Sequence, residues 1–310
     1  MKAMKICFCV TLFMIVGLFI VHGINAYYPA APGTTIPGKQ IMVTNYTSHP
    51  PIIDGVFRPW EWMGAAPVYV DGSTPGTPPG IVPKIDWLPY LVPPDSPADS
   101  SFTIYTLYDD NYLYIAVNVT DDYVYTDSPD TPWLDDDVEI MIDGDRKPGD
   151  MAMASLCGPS GSDPKNCPNP VSNFEGYKLN TSAAGIQWVD PANHPDIVWD
   201  SKASRTRTGF VVEFKVSLDS INTIDTSWWS GGSLDAGFRR PQPGDIIGFN
   251  VGVGDDDNGG CGYARNFCSD PIPNPLRSDS YTAWDGRSVG WTVGASAEQE
   301  WGNLYFAPHR

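Results

Sequence analysis

Five segments of the chain alternate apolar and polar residues with a period of two, and this pattern constrains the fold more than any other feature. They are rich in Val, Ile, Phe and Tyr, and they cover residues 102–108, 112–120, 138–143, 209–218 and 246–253. Such alternation is typical of β-strands that bury one face. Shorter candidate strands cover residues 176–180, 185–189, 197–203, 290–293 and 304–307. Because strands joined by Pro- and Gly-rich turns form sandwiches, we predict an all-β fold, an antiparallel β-sandwich.

The composition supports the same fold class. The chain has 30 Gly and 30 Pro, and its 37 acidic residues are 31 Asp and only 6 Glu. Gly, Pro and Asp favour turns and are poor helix formers. Asp109, Asp110 and Asn111 predict a hairpin turn between the first two long strands, because Asp and Asn tolerate positive φ. Four polar stretches are predicted to be long loop insertions that either surround a site or face solvent, namely 71–101, 146–172, 222–244 and 255–280.

The first 26 residues have the three parts of a secretory signal. Lys2 and Lys5 give a basic start, residues 7–21 are apolar, and Ala26 ends the segment with a small residue. We therefore predict a signal peptide at 1–26, a Pro-rich tail at 27–50 and one domain at 51–310. No other apolar stretch approaches membrane length, so we expect a secreted protein, extracellular or at the cell surface, without membrane insertion after cleavage.

The chain is strongly acidic, with a formal net charge of −18. Loss of Lys2 and Lys5 with the signal would leave 17 basic against 37 acidic residues, a net charge of −20. Such a surface repels nucleic acid and anionic lipid. We therefore expect neither of them as a partner.

Four cysteines remain after the signal, and an even number in an oxidising compartment predicts two disulfides. They are Cys157, Cys167, Cys261 and Cys268. Three pairings exist, and we favour Cys157 with Cys167 and Cys261 with Cys268, because each would close a loop rich in Gly, Pro and Asn. A zinc site is disfavoured, since no Cys-x-x-Cys pair occurs and His is scarce.

A series of short motifs carries a family resemblance. In chain order they are Ile53-Asp54-Gly55 with Trp60, the run 108–122, the run 133–143, and the segments 176–180, 208–218, 244–255, 284–286 and 301–305. In this order and spacing they resemble the family 9 carbohydrate-binding modules, which are β-sandwiches of the DOMON-like group. The resemblance covers residues 52–306, with the long polar stretches as insertions, and it implies a binding function.

The resemblance implies a particular sugar site. Trp133 and Trp284 match the two tryptophans that sandwich a terminal sugar of a polysaccharide or oligosaccharide, and indole faces suit the apolar faces of a pyranose. Glu139 resembles the acidic ligand of the family, and Lys178 stands where the basic ligand is usually Arg. Gly252 stands where sugar-binding members carry a polar side chain that reaches the ligand.

Asp residues cluster at the predicted strand ends. The resemblance implies structural calcium, and calcium takes six to eight oxygen ligands in irregular geometry. The expected ligands are Asp121, Asp136, Asp143, Asp255 and Asp257. The alternative is a solvated acidic rim that keeps the protein soluble.

Three Asn-x-Ser/Thr motifs begin at Asn45, Asn118 and Asn180. They predict N-glycosylation in a host that performs it.

Catalytic motifs are absent from the sequence. It has no Gly-x-Ser-x-Gly elbow, no His-Glu-x-x-His and no phosphate-binding loop. We therefore predict a protein that is not an enzyme, although a glycosidase pair is defined by its separation in space.

Two alternatives stay open at this point. Other DOMON-like proteins hold haem, for which the available axial ligands are Met141, Met151, Met153, Lys178 and His194. A structural subunit of a filament or surface layer would instead self-associate, by adding the Pro-rich tail to the sheet edge of a neighbouring molecule.

Overall fold

The structure is a computed structural model that describes residues 39–71, 94, 96–128, 132–146, 176–190, 197–224, 237–257, 280–285 and 301–309. Several predictions fall outside these residues. They concern the signal at 1–26, the strand at 290–293, the four cysteines, and the haem candidates Met151, Met153 and His194.

β-Strands are the main regular structure of the described residues and helix is almost absent from them, as predicted. The strands are β1 (Ile41–Tyr46), β2 (Val68–Asp71), β3 (Ser100–Tyr108), β4 (Tyr112–Asp121), β5 (Asp137–Asp143), β6 (Gly176–Ser182), β7 (Gln187–Asp190), β8 (Trp199–Thr206), β9 (Gly209–Ser217), β10 (Ile246–Asp255), β11 (Ser280–Ala283) and β12 (Gly302–Phe306). Short 3-10 helices cover Pro132–Leu134 and Leu218–Ser220. In the described ranges, no helix combines the length and apolar character that a membrane span requires.

Two sheets pack face to face and share β1. The first sheet has the order β7-β6-β5-β10-β12-β1, and β11 pairs with β10 beside β12. The second sheet has the order β1-β3-β4-β9-β8, and β2 pairs with β3. β1 is parallel to both of its neighbours, with Met42 opposite Leu304 of β12 and Tyr46 opposite Tyr108 of β3. The other strand pairs are antiparallel, so the predicted antiparallel sandwich is confirmed apart from β1.

The sandwich begins before residue 51, because β1 lies inside the range that was predicted to be a tail. β1 is only six residues long and lies close to proline-rich sequence, so its pattern did not indicate a strand. β2 and β11, of four residues each, were also missed. Edge pairing by the rest of the tail stays a prediction for residues outside the described ranges.

The core lies between the sheets and uses alternate residues of each strand. β4 contributes Leu113, Ile115, Val117 and Val119, all essentially inaccessible to solvent. Facing strands of the other sheet contribute residues with the same period, namely Val138, Ile140, Ile142, Ile247, Phe249, Val251 and Val253. Burial of these apolar side chains stabilises the fold by about 25 cal/mol for each Å² removed from water.

The hairpin between β3 and β4 turns at Asp109, Asp110 and Asn111, as predicted. Its mechanism differs from the expected one, because Asp110 and Asn111 do not adopt positive φ. Instead, the Asp109 carboxylate accepts hydrogen bonds from the backbone N–H groups of Asn111, at 2.7 Å, and Tyr112, at 2.8 Å. The side chain therefore closes the turn as an Asx turn does.

The outer face of the second sheet is covered by the segment that carries Ile53-Asp54-Gly55. Trp62 packs there with Leu107, Tyr114 and Ala116. Glu213 of β9 is fully buried beneath the segment and anchors it. Its Oε2 accepts from the backbone N–H of Asp54 at 3.1 Å and of Gly55 at 2.9 Å, and its Oε1 accepts from Trp62 Nε1 at 3.3 Å.

Glu213→Ala is expected to lower the free energy of unfolding by about 2–4 kcal/mol, because it leaves buried donors without an acceptor. Thermal and denaturant unfolding would measure this loss. Asp200→Ala is the matched control, since Asp200 pairs with Lys202 on an exposed part of β8 and such pairs contribute at most about 1 kcal/mol. Equal losses in the two variants would contradict the anchoring role.

Candidate functional site

Polar side chains line the outer face of the first sheet, opposite the core. On β5, Val138, Ile140 and Ile142 point inward, so Asp137, Glu139 and Met141 point outward. The strand register sets Glu139 between two residues at the same level, Asn180 of β6 and Gly252 of β10. We call the four residues Trp188, Asn180, Glu139 and Gly252, which are paired in this order across β7, β6, β5 and β10, the outer-face row.

Glu139 is the centre of a buried hydrogen-bond network on this face. Its Oε1 accepts from Lys178 Nζ at 2.7 Å and from Asn180 Nδ2 at 3.3 Å, and its Oε2 accepts from the Tyr281 hydroxyl at 2.7 Å. Glu139 and Tyr281 are inaccessible to solvent, whereas Lys178 keeps 10% of its side chain exposed. The structure thus brings the predicted ligands Glu139 and Lys178 together, with solvent reaching the lysine.

Asp137 is the carboxylate two residues before Glu139 on the same face of β5. It accepts from Asn180 Nδ2 and, at 3.1 Å, from the backbone N–H of Gly254. Burial, and next the charge of Glu139, raise the pKa of Asp137 well above its ordinary value, while the Lys178 charge acts in the opposite direction. Two carboxylates beside one ammonium therefore retain a proton more readily than either would in water.

Tyr281 crosses from β11 over β10 to reach Glu139. A Cβ built on Gly252 would lie 1.8 Å from the Tyr281 hydroxyl oxygen, so the phenol occupies the space that a side chain at 252 would fill. Gly252 stands where the resemblance implies a polar side chain that reaches the ligand. The Tyr281 hydroxyl supplies a polar group from the neighbouring strand, which the sequence motif did not reveal.

Two buried amides on this face have a group without a hydrogen-bond partner. They are Asn180, through Oδ1, and Asn250 of β10, through Nδ2. Both side chains are fully buried. Asn250 is paired with Met141, which lies two residues from Glu139 along β5. One buried acceptor and one buried donor near the Glu139 network therefore lack a hydrogen-bond partner, which is costly inside a protein.

Trp284 is not on an open surface. It is 1% exposed and belongs to the hydrophobic core, where its ring lies 6.2 Å from that of Phe249. A Cβ on Gly302 would lie 2.5 Å from the indole, so the ring rests directly on the backbone of β12. The Trp284 backbone N–H donates to Val251 at 2.8 Å.

Trp133 is half-buried in the short 3-10 helix Pro132–Leu134 and contacts Trp188. Their ring centroids are 4.8 Å apart with an interplanar angle of 72°, an edge-to-face arrangement. Trp188 is also half-buried, and its pairing with Asn180 places it at the β7 end of the outer-face row. Sequence analysis singled out Trp133 and passed over Trp188, which only strand register connects to Glu139.

Carboxylates gather at one end of the sandwich, where three strand ends meet. Asp136 precedes β5, Asp255 ends β10 and Asp121 ends β4, and their carboxylate oxygens lie within 4.8 Å of one another. Asp257 lies within the same distance of Asp255 and Asp99, and of Asp121 and Asp122. We call Asp99, Asp121, Asp122, Asp136, Asp255 and Asp257 the strand-end cluster.

A second carboxylate group lies nearby and was not predicted. It consists of Asp127, Asp135 and Asp256, again with oxygens within 4.8 Å of one another. Asp135 Oδ1 accepts from the backbone N–H of Ser128 at 2.8 Å, while its Oδ2 has no hydrogen-bond partner. Burial raises the pKa of Asp135 to about 6.

The chemistry of the strand-end cluster suits a hard cation. Burial raises the pKa of Asp121 to about 6, and burial together with neighbouring carboxylates raises the pKa values of Asp136 and Asp255 well above the ordinary value. Asp121 Oδ2 and Asp255 Oδ1 are buried without a hydrogen-bond partner. Orphaned anionic oxygens of this kind fit the oxygen ligand set of calcium.

Asp143 is separate from the strand-end cluster. It lies at the opposite end of β5 from Asp137, six residues away, or about 20 Å at the usual rise of a strand. Its Oδ1 accepts from the backbone N–H of Arg146 at 2.8 Å. The structure therefore brings Asp121, Asp136, Asp255 and Asp257 together and leaves the predicted ligand Asp143 apart.

The three glycosylation candidates occupy different environments. Asn45 Nδ2 donates to the Gly64 carbonyl at 2.7 Å on an exposed surface, and Asn118 is half-buried on β4. Asn180 is fully buried and its amide serves Asp137 and Glu139, so a glycan at Asn180 does not fit the folded chain. Of the haem candidates within the described ranges, Met141 is fully buried and Lys178 is paired with Glu139.

Comparison with known proteins agrees with this fold. Residues 87–151 match the sequence model of the family described as carbohydrate family 9 binding domain-like. This region spans β3, β4 and β5 and contains Trp133 and Glu139, while Lys178 and Trp284 lie beyond it. Within residues 87–151 this match confirms the resemblance expected from the motifs, and the described strands form the expected β-sandwich.

The chain is also similar in structure to a family 9 carbohydrate-binding module from Caldicellulosiruptor kristjanssonii. In complex with cellotriose, that module has 14% sequence identity and a TM-score of 0.49, over 87% of this chain and 95% of the module. In complex with glucose, the identity and TM-score are again 14% and 0.49, over 87% and 97% of the two chains. No curated protein matches the sequence.

Gly252→Ala is expected to destabilise the fold by about 1–3 kcal/mol, because the added Cβ would overlap the Tyr281 hydroxyl. In a Tyr281→Ala background the same substitution would cost much less, since the phenol is gone. A double-mutant cycle by thermal unfolding would measure the coupling. Equal costs in both backgrounds would show that Tyr281 does not occupy this space.

Proposed function

We propose that this chain is a secreted, non-catalytic carbohydrate-binding module. The observation that carries the proposal is the buried Glu139 network, which strand register connects through Asn180 to Trp188 and so to the half-buried Trp133. Glu139 and Trp133 both lie inside the region that matches the family. Polar groups flanked by an aromatic surface are the two elements that sugar recognition needs.

Each element has a distinct part in binding. An indole face offers apolar surface to the C–H groups of a pyranose, and this contact releases water from both. Lys178, which keeps 10% of its side chain exposed, supplies donors for hydroxyl or ring oxygens. Glu139 holds Lys178 in place and makes its position independent of the ligand.

The arrangement of carboxylates favours binding over hydrolysis. A glycosidase needs one carboxyl group as an acid and a second as a nucleophile or base, both free to meet the glycosidic bond. Both oxygens of Glu139 accept hydrogen bonds from protein donors, and Asp137 accepts from Asn180 and Gly254. These contacts commit the two carboxyl groups to positioning roles.

We also propose that the strand-end cluster holds structural calcium. Asp121, Asp136, Asp255 and Asp257 are the ligands expected for the main site, with Asp99 and Asp122 beside them. Calcium would neutralise carboxylates that repel one another and would fix the ends of β4, β5 and β10 together. Asp127, Asp135 and Asp256 could hold a further ion by the same chemistry.

Cello- and xylo-hexaose are expected to bind the full secreted chain, as measured by isothermal titration calorimetry. Trp133→Ala should weaken binding about tenfold or more by removing the stacking surface. Trp60→Ala is the matched control, because Trp60 is 65% exposed but lies in the segment that covers the second sheet. Failure of every neutral glycan tested to bind the unaltered protein would refute the proposed function.

Removal of calcium with EDTA is expected to lower the melting temperature, and added calcium should restore it. At one hundred times its Kd a ligand stabilises the native state by about 2.7 kcal/mol. Asp121→Asn and Asp255→Asn should abolish the calcium response, whereas Asp143→Asn, at the far end of β5, should retain it. A response that is unchanged in all three variants would exclude the strand-end cluster as the site.

A further inference from the structure

We infer that Trp188, and not Trp284, is the second aromatic surface of the sugar site, and that the site accepts a sugar residue in the interior of a neutral glycan chain. This inference rests on the proposed carbohydrate-binding function. Three observations support it: the burial of Trp284, the position of Trp188 in the outer-face row, and the angle between Trp133 and Trp188.

Trp284 cannot reach a ligand while the core is closed. Its ring packs against Phe249 and rests on the backbone at Gly302, and its carbonyl accepts from Gln40 Nε2 at 3.0 Å. The adjacent Asp285 accepts from the backbone N–H of Gln40 at 2.7 Å. Exposure of the indole would break these contacts and return a large apolar surface to water.

Trp188 has the access that Trp284 lacks. It is half-buried on β7, which is the last strand of the first sheet within the described ranges. Its partner Asn180 donates to Glu139, so one residue separates the indole from the centre of the network. Lys178, the partly exposed member of the network, is on the same strand as Asn180. A ligand that enters at the β7 side would meet aromatic surface first and Lys178 next.

The Trp133–Trp188 angle determines how much of a sugar ring the pair can cover. The two planes meet at 72°, so the indoles form a corner and not two parallel walls. A pyranose can stack one face on one indole and place an edge against the other. Its second face stays open, and the glycosidic bonds on both sides of the residue have room. A corner therefore accepts a residue within a chain, whereas a closed sandwich favours a chain end.

Charge and ring chemistry narrow the class of glycan. Stacking needs a pyranose whose hydroxyls are equatorial, because its faces then present C–H groups, as in glucose and xylose. The chain carries a formal net charge of −18, which opposes binding of uronic-acid polymers. Neutral β-linked glucan or xylan chains satisfy both conditions.

The test compares four forms of the full secreted chain by calorimetry with cellohexaose and xylohexaose. Trp188→Ala should weaken binding of the preferred hexaose about tenfold, and Trp188→Phe should recover part of the loss. Trp284→Phe should change affinity less than twofold although it lowers the melting temperature. Thermal unfolding and circular dichroism establish that each variant is folded under the conditions of the titration.

Chain-end dependence is tested separately. Borohydride converts the reducing-end residue of the hexaose to an open alditol, and a soluble polymer has few ends per residue. Reduced hexaose should bind within twofold of the native hexaose, and the polymer should bind with similar affinity per binding segment. A loss of binding on reduction, or failure to bind the polymer, would assign the site to a chain end and overturn the inference.

The remaining outcomes separate this inference from the proposed function. Hexaose binding that survives Trp188→Ala but is lost in Trp133→Ala would overturn the role of Trp188 and keep the carbohydrate-binding function. Loss of binding in a folded Trp284→Phe variant would return the second stacking role to Trp284. Absence of binding to the unaltered chain would remove the proposed function and this inference together.

Discussion

The antiparallel ladder between β5 and β10 is the interaction on which the rest of the structure depends. Its seven residue pairs, from Asp143 with Gly248 to Asp137 with Gly254, give each face of the sheet a separate character. One face supplies the core through Ile140 and Val251, and the other holds Glu139 opposite Gly252. At its end the same ladder brings Asp136 to Asp255. A shift of one residue in register would turn every one of these side chains to the wrong face.

Much of the fold could be predicted because its long strands carry a strong period of two. Residues 138–143 and 246–253 show the alternation plainly, and both are strands. The four-residue strands β2 and β11 are too short for such a pattern, and β1 draws its stability from pairing on both edges. Their existence depends on partners far away in sequence, which local propensity does not encode.

Part of the candidate site could be predicted from the sequence, because Glu139 and Lys178 lie in recognisable motifs on two adjacent strands. Spatial relations that depend on register or side-chain direction could not be predicted. Asp143 has the composition of a calcium ligand but lies at the wrong end of its strand. No sequence motif marks Trp188 as a site residue, and its place near Glu139 follows only from its pairing with Asn180. Trp284 occupies a plausible motif, yet the glycine at 302 leaves room for its ring inside the core.

The position of β1 also has a consequence for the order in which the fold can form. Met42 near the start of the chain pairs with Leu304 near its end, and Tyr46 pairs with Tyr108 in the other sheet. Closing a loop of that length costs chain entropy, and the contacts between β1 and β12 offset this cost only once they have formed. β1 therefore joins the two sheets only after β12 is available. If the chain is exported, β12 would cross the membrane before the sandwich closes, and the native state would be assembled on the far side.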